Sequence, residues 1–376
     1  MTRPLDELTS VDEADVYRGD RLAGHLRRTP DGVEFRYSPA FLADATIPLA
    51  TSIPLDPAPV TPGRAGAVPP FFAGLLPEGR RLSGLRRAVK TSMDDELSLL
   101  LAVGGDTVGD VRVVPTGEEP ADVTPLIEVH RDWSEVRIHD LLRESSVIDP
   151  VGLPGVQDKA SARMISVPVR RAGERFIVKV DPPEYPHVVE NEAFVIQLAR
   201  DAGLTTVDAH LVHDADGRPA LVVRRFDRRP DGEGGTIALA CEDACQVAGR
   251  WPEAKYQLSA EQIVTALADQ CSARPVALAD LLRQVLVAWL LGNGDAHAKN
   301  FSILRDASGE WWTAPAYDLV STAAYGDLSF AVSLGGKRRG LSRRSFESFG
   351  EEVGLNERAV RRIIDDTLDR TAGVVD

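Results

Sequence analysis

Cysteine is almost missing from this chain, with only Cys241, Cys245 and Cys271 among 376 residues. An odd, sparse set excludes a disulfide framework and fits a reducing compartment. Cys241 and Cys245 are four apart, but no second Cys or His pair completes a zinc site. Long apolar runs are also lacking. The longest, Val285 to Leu291, is far below the roughly 20 residues that cross a bilayer as a helix. Met1 to Ala14 is acidic and polar, unlike a signal peptide. These absences predict a cytoplasmic protein without a membrane partner. Basic charge is in deficit, 43 Lys and Arg against 57 Asp and Glu, for a net charge of -14. Such a balance argues against non-specific nucleic-acid binding. Lys337-Arg338-Arg339 and Arg343-Arg344 are local basic clusters that read as solvated faces. No internal repeat is present.

What the chain does have is length and apolar content. At 376 residues with 43% apolar side chains, it predicts a folded protein of two or three domains or lobes. Residues 13–50 alternate apolar and polar around Arg18-Gly19-Asp20 and Thr29-Pro30-Asp31-Gly32, and read as short antiparallel strands. Residues 54–69 are a Pro- and Gly-rich loop. Helices are expected over Phe71–Leu76, Leu82–Lys90 and Asp94–Val103, the last capped near Ser92. A strand over Val108–Val114 and a linker from Glu118 close a first domain, 1–120.

From residue 150 the pattern changes. A loop at Val151–Gln157 leads to strands over Ala162–Val169 and Phe176–Val180. The helix Glu190–Ala202 follows, with Phe194, Leu198 and Ala202 on one face. A hairpin over Ala209–His213 and Ala220–Phe226 completes a sheet lobe, 121–240. Beyond Glu242 strands nearly vanish, and helices are expected over Ala260–Cys271, Leu278–Leu291 and Asn356–Leu368. The fold class is α+β: a bilobal arrangement like a protein kinase, with a β-rich N-terminal lobe, an extra subdomain before it, and an all-α C-terminal lobe, 241–376.

The most informative stretch is Asn293 to Ser302, followed by Tyr317-Asp318. Asp295 and Asn300 have the Asp-x-x-x-x-Asn spacing of a kinase catalytic loop, in which the Asp accepts a hydroxyl proton and the Asn holds magnesium. Alone, that spacing is common and describes a loop capping a helix. Here Phe301–Leu304 and Glu310–Thr313 read as a hairpin, which brings its two ends together. Asn300 and Asp318 should therefore meet. An amide oxygen and a carboxylate on one point suit Mg²⁺. Upstream, Gly155-Val156-Gln157-Asp158-Lys159 is a candidate phosphate loop, though too short of glycine for a Walker A motif. Lys179 sits on a strand between Val178 and Val180. It is either an outward-facing edge residue or the lysine that grips phosphates, with Glu190 or Glu192 as its ion-pair partner. The strand Leu221–Phe226 is the positional candidate for a hinge that receives adenine through backbone groups.

With these residues in series, the chain resembles the HipA-type toxin kinases. The resemblance rests on Gly104 to Gly109, Gly155 to Lys159, Phe176 to Val180, Glu190-Asn191-Glu192, Arg225 to Arg228, Glu242 to Gln246, Gly292 to Ser302 and Tyr317-Asp318. Weaker likeness extends to Phe71-Phe72 and Leu75 to Glu78. It implies a HipA-like fold and a Ser/Thr protein kinase using ATP and Mg²⁺. Asp295 would be the catalytic base, and Asn300 and Asp318 the metal ligands. The nucleotide would be held by Pro154, Gly155, Val156, Gln157, Asp158, Lys159 and Lys179, by Arg224, Arg225 and Phe226 at the hinge, and by His297, Lys299 and Tyr317. Better-known members phosphorylate an aminoacyl-tRNA synthetase as toxins, and each is held by a small helix-turn-helix antitoxin (HipB-like). Contact with DNA would then be indirect, through the antitoxin. One departure is plain: many members carry a self-phosphorylated serine where this chain has Gly152, which takes away the hydroxyl. Ser145, Ser146 and Ser161 lie nearby. A small-molecule or lipid kinase, and a nucleotide-binding corepressor with little catalysis, are the other readings compatible with these residues.

Overall fold

The computed structural model describes residues 4–120, 128–138, 140, 164–171, 173–232, 235–306 and 308–372. Its first sheet follows the alternation seen at the start of the chain. Strands β1 (Glu13–Arg18), β2 (Arg21–Thr29), β3 (Gly32–Tyr37) and β4 (Val111–Pro115) pair antiparallel in the order β3-β2-β1-β4. Val16, Leu26 and Phe35 point to one face, where α1 (Pro39–Asp44), α2 (Pro70–Ala73) and α4 (Glu96–Val103) gather, and α3 (Gly79–Val89) packs against α4. The rings of Phe35 and Phe72 meet there at 5.2 Å. The cap of α4 is Asp95, not Ser92, and its carboxylate accepts from the Ser98 N–H at 3.4 Å. Thr91 Oγ1 holds the other carboxylate oxygen at 2.7 Å. The last strand begins at Val111, later than the apolar pattern predicts, because Asp106 to Gly109 is used as a turn that reaches the next lobe.

The second sheet contains β5 (Ile165–Arg171), β6 (Glu174–Val180), β7 (Ala209–His213) and β8 (Pro219–Arg224), antiparallel in the order β5-β6-β8-β7. Period-two alternation separates its faces. Ala220 and Val222 pack with Val178 and Trp133, whereas Leu221 and Val223 face the helix α5 (Val188–Asp201). Lys179 is directly opposite Leu221 in register, so it points to the helix side and not outward.

The helix α5 is rotated relative to the face expected from Phe194. Phe194 is 62% exposed, while Val188, Val189, Glu192, Val195, Ile196 and Ala199 face inward. A carboxylate at an inward position hides the true apolar stripe from a hydrophobicity pattern. In the isolated chain, Ile196→Ala should cost about 2–5 kcal/mol, as a cavity does in a closed core. Phe194→Ala should stay within roughly 0.5 kcal/mol, as an exposed substitution does. Urea unfolding compares the two, and equal losses would contradict the observed rotation.

After the ribbon of β9 (Arg228–Pro230) and β10 (Thr236–Ala238), the C-terminal lobe is mostly helical. Its elements are α6 (Ala244–Val247), α7 (Ala260–Gln270), α8 (Arg274–Leu290), α9 (Arg343–Glu352) and α10 (Glu357–Thr371). They enclose a core that includes Ile263, Leu267, Leu281, Val285, Phe346, Phe349 and Val360. The lobe is not helical throughout. The expected hairpin is present as β12 (Ser302–Arg305) and β13 (Trp311–Thr313), and β11 (Cys241–Asp243) adds to its edge. The Arg343-Arg344 cluster opens the helix α9, where it forms the first turn. All three cysteines are buried and free. Among the described residues, no helix is long and apolar enough to cross a membrane.

Candidate active site

The sheet lobe and the helical lobe meet at Lys179. Its ammonium pairs with Glu192 Oε1 at 2.7 Å and with the Asp318 carboxylate. Glu192 is the partner, while Glu190 pairs with His187 at the open start of α5. Burial alone would favour loss of the lysine proton. Asp318 and Glu192 outweigh it and hold the ammonium above its ordinary value. Burial pushes the Glu192 carboxyl up to about 7 against the pull of Lys179. Asp318 is only partly buried, and although desolvation opposes its charge, Lys179 outweighs it and holds the carboxyl below the ordinary carboxylate range. Asn191 explains the middle of the Glu190-Asn191-Glu192 motif. It exchanges two hydrogen bonds with the backbone of Ser321, at 2.8 and 3.2 Å, and so ties α5 to the segment after Asp318.

The catalytic loop is positioned from several sides. Helix α8 ends at Leu290, and Gly292 turns the chain with φ 67°. The side chain of Asn293 bridges two functional loops: Oδ1 accepts from the Asp295 N–H at 3.1 Å, and Nδ2 donates to the Asp318 carbonyl at 3.3 Å. Gly294 is required by space, since a Cβ would lie 2.5 Å from Thr322 Oγ1 and 2.6 Å from the Ser329 carbonyl. Asp295 is buried, and its Oδ1 accepts from the Tyr256 hydroxyl at 2.6 Å. Burial and the Asp295 carboxylate both push the Tyr256 hydroxyl far above its ordinary pKa, so it stays a donor. Nothing in the sequence marked Tyr256, which is 39 residues before the loop it supports.

Asn300 and Asp318 meet as the hairpin predicts, with Asn300 Nδ2 3.4 Å from Asp318 Oδ2. Asp318 holds a left-handed backbone, φ 52°, a conformation that costs energy in a non-glycine residue. The Asn293 hydrogen bond to its carbonyl helps to hold it there.

Other candidates are engaged differently. Arg224 pairs with Glu174 at the ends of the two central strands, β8 and β6. The Arg225 N–H donates to the Arg175 carbonyl at 2.9 Å. Its guanidinium turns back to the first lobe, binding Asp106 at 2.9 Å, Thr107 O at 2.8 Å and Asp227 at 2.8 Å. Arg228 joins the same cluster, and Asp227 also accepts from the Gly109 N–H at 3.0 Å. Two of the resembling motifs, Gly104–Gly109 and Arg225–Arg228, thus form one buried clasp. Phe226 packs against Tyr317 with ring centres 5.5 Å apart. The Tyr317 hydroxyl bonds to Ser302 Oγ at 2.5 Å and to the Lys299 carbonyl at 2.6 Å.

Lys299 is largely buried, paired with Asp243 at 2.6 Å and donating to the Gly74 carbonyl at 3.2 Å. Gln246 and Glu242 complete this second clasp. Gln246 Nε2 donates to Phe71 O at 2.9 Å, and Glu242 accepts from Thr51 N–H at 2.9 Å. Pro154 to Lys159, Gly152, Ser145, Ser146 and Ser161 lie outside the described residues.

His297 is buried against the edge of the Tyr256 ring, with centres 5.1 Å apart, and its Nδ1 has no hydrogen-bond partner. Burial, helped by Lys255, lowers its pKa to about 3. The imidazole should therefore stay neutral throughout working pH. Its proton NMR shifts are expected to be flat from about pH 5 to 8, and a midpoint near the ordinary histidine value of roughly 6.5 would contradict its burial.

Two family models match this chain: the HipA N-terminal domain over residues 14–114 and the HipA-like C-terminal domain over residues 151–375. The second alone spans more than half of it. The chain belongs to the HipA family of kinases. A putative kinase of Sinorhizobium fredii is 34% identical to this HipA-family chain over 384 residues, covering 96% of it and 90% of the relative. The serine/threonine-protein kinase toxin HipA of Shewanella oneidensis is 29% identical over 346 residues, covering 85% and 77%. Among solved structures, the complex of Shewanella oneidensis HipA, HipB and operator DNA contains a chain that superposes with a TM-score of 0.76. It is 24% identical, covering 95% of this chain and 90% of that one. At that identity the likeness concerns the fold, which is bilobal with an added N-terminal subdomain.

The donors of this HipA-family site fit a hard divalent cation. Asp318 supplies carboxylate oxygens, and Asn300 supplies an amide beside them. The Asn300 oxygen already accepts from the His297 N–H at 3.1 Å, so metal binding would use its second lone pair or exchange the two ends of the amide. Glu192 Oε2 is buried without a hydrogen-bond partner. Carboxylates outnumber the single ammonium of Lys179 here, because Lys299–Asp243 and Lys255–Glu78 form their own pairs.

Proposed function

We propose that this chain is an ATP- and Mg²⁺-dependent serine/threonine protein kinase, the toxin of a toxin–antitoxin pair. Its substrate would be a translation component such as an aminoacyl-tRNA synthetase. The observation that carries this reading is the convergence of Lys179 and Glu192 from the sheet lobe with Asp318 and Asn300 from the helical lobe. That set spans the two lobes of a kinase and suits a metal-bound triphosphate.

Lys179, kept charged by its two carboxylates, binds phosphate oxygens, with Pro154 to Lys159 as the proposed cradle. Asp318 and Asn300 would hold Mg²⁺, which when bound neutralises charge on the transferring phosphoryl group. Asp295 takes the proton from the acceptor hydroxyl, and the Tyr256 hydrogen bond fixes which of its oxygens is turned away from that task. The adenine is proposed to lie at the Arg224–Phe226 strand exit. Tyr317 and His297 shape the apolar wall behind the metal loop, and Lys299 fixes the loop to Asp243.

We assign residues 1–120 to the N-terminal subdomain, 121–240 to the nucleotide lobe and 241–376 to the catalytic lobe. A small helix-turn-helix protein, like the HipB in the Shewanella complex, is the proposed antitoxin, through which contact with DNA is indirect.

Expression of the wild type and of Asp295→Ala in a bacterial host tests the reading. It predicts growth arrest and a new phosphoserine or phosphothreonine on a translation protein, found by mass spectrometry only with the wild type. New phosphorylated metabolites without any new protein phosphosite would contradict it.

A further inference from the structure

The basic triplet Lys337-Arg338-Arg339 is not a scattered surface charge. It lines a cavity of about 570 Å³ with Tyr256, Ser329, Phe330 and Ala331. Tyr256 is the same residue whose hydroxyl holds Asp295 at 2.6 Å, so the cavity and the proposed catalytic base share a wall.

The triplet is also held firmly. Gly335 and Gly336 turn the chain with φ 55° and 73°, which favours glycine. Leu334 pairs with Lys337 across that turn, and the Phe330 N–H donates to the Arg338 carbonyl at 3.1 Å. Glu261 Oε1 accepts from the Gly335 N–H at 2.7 Å, and Ser333 O accepts from the Ala260 N–H at 2.8 Å, fixing the loop to the start of α7. Arg338 is spent on the Tyr256 carbonyl. Lys337 and Arg339 remain exposed at the cavity. Of the acids beside this loop, Glu261 is bonded to Gly335, and Asp327 Oδ1 is occupied by the N–H and hydroxyl of Ser329.

We propose that this cavity is the acceptor subsite, and that it selects polypeptides with glutamate or aspartate beside the target hydroxyl. The assignment rests on the kinase reading above for its catalytic role. Its binding role rests on the cavity alone. Two exposed cations are set in a chain of net charge -14, next to the group that would take the hydroxyl proton. An acidic side chain seated on Lys337 and Arg339 places its neighbouring serine or threonine towards Tyr256 and Asp295. Charge complementarity of this kind selects partners and fixes register. A polypeptide is favoured over nucleic acid because the cavity holds few cations, includes Tyr256 and Phe330 in its lining, and adjoins through Tyr256 a group suited to a hydroxyl acceptor.

The test uses the full chain and two fluorescein-labelled peptides, one serine flanked by glutamates and its twin flanked by lysines. Fluorescence anisotropy should give at least about tenfold tighter binding of the glutamate peptide. The double variant K337E/R339E should abolish that preference, while MgATP affinity by calorimetry stays within about twofold and the melting curve is unchanged. Equal binding of the two peptides by the wild type would overturn the assignment, as would a preference that survives K337E/R339E. A labelled single-stranded oligonucleotide that binds through Lys337 and Arg339 in place of the glutamate peptide would also overturn it. Failure of the kinase reading is seen separately, as absence of MgATP binding, and does not alter the anisotropy result.

Discussion

Asp318→Ala should lower Mg²⁺-dependent ATP affinity by about a hundredfold or more, whereas Asp295→Ala should leave it within about threefold. The difference follows from what each carboxylate touches. Asp318 pairs with Lys179 and faces Asn300, so its loss removes a metal ligand and the partner that keeps the phosphate-gripping lysine in place. Metal sites lose roughly 10–100-fold in affinity even when only a supporting partner is removed. Asp295 is held by Tyr256 and Asn293, on the acceptor side of the loop. Its work belongs to the transition state, and such groups affect turnover and not ground-state binding. Loss of a general base costs about 10²–10⁴ in rate. Calorimetry with MgATP, repeated in EDTA, reads the binding half of this prediction. Equal loss in the two variants would contradict the division of roles.

Asp227→Ala should destabilise the protein by roughly 3–5 kcal/mol, the cost of breaking a buried ion pair from one side. Native domains have only about 5–15 kcal/mol in total. Asp227 is 4% exposed and answers both Arg225 and Arg228, whose remaining shared carboxylate is Asp106. The same clasp predicts an acid limb. Burial opposes the charge on Asp227, but Arg225 and Arg228 outweigh it and lower the pKa to about 2 from 3.8. A depressed carboxyl stabilises the fold above its unfolded pKa. That stability, roughly 2 kcal/mol, is lost as pH falls from 3.8 towards about 2. Urea unfolding across that range should show the limb in the wild type and a weaker one in the variant. A loss under about 1 kcal/mol at neutral pH would contradict the clasp.

The parts of this structure that were legible in the sequence are those set by local pattern. Alternation located β1 to β3 and both strands around Lys179. The Asp295–Asn300 spacing with a hairpin behind it brought Asn300 to Asp318, because an antiparallel pair must return to its start. Register was not legible, and register is what turns Lys179 towards α5. The face of α5 was misjudged because Glu192 takes an inward position that only a partner on another strand makes tolerable. Tyr256 carried no sequence signal, and Asn293 was visible only as part of the motif, because their roles depend on contacts that chain spacing does not encode. The motifs at Asp106, Arg225 and Asp227 were visible as motifs. Only the fold shows that their side chains bind one another.

The most direct measurement of the central claim is transfer of labelled γ-phosphate from ATP with Mg²⁺, using wild type and Asp295→Ala side by side in a bacterial lysate depleted of small molecules. The account predicts a labelled protein band with the wild type, no band without Mg²⁺, and none with Asp295→Ala although that variant still binds MgATP. A band of equal strength with Asp295→Ala, or no band with a wild type that binds MgATP, would contradict it.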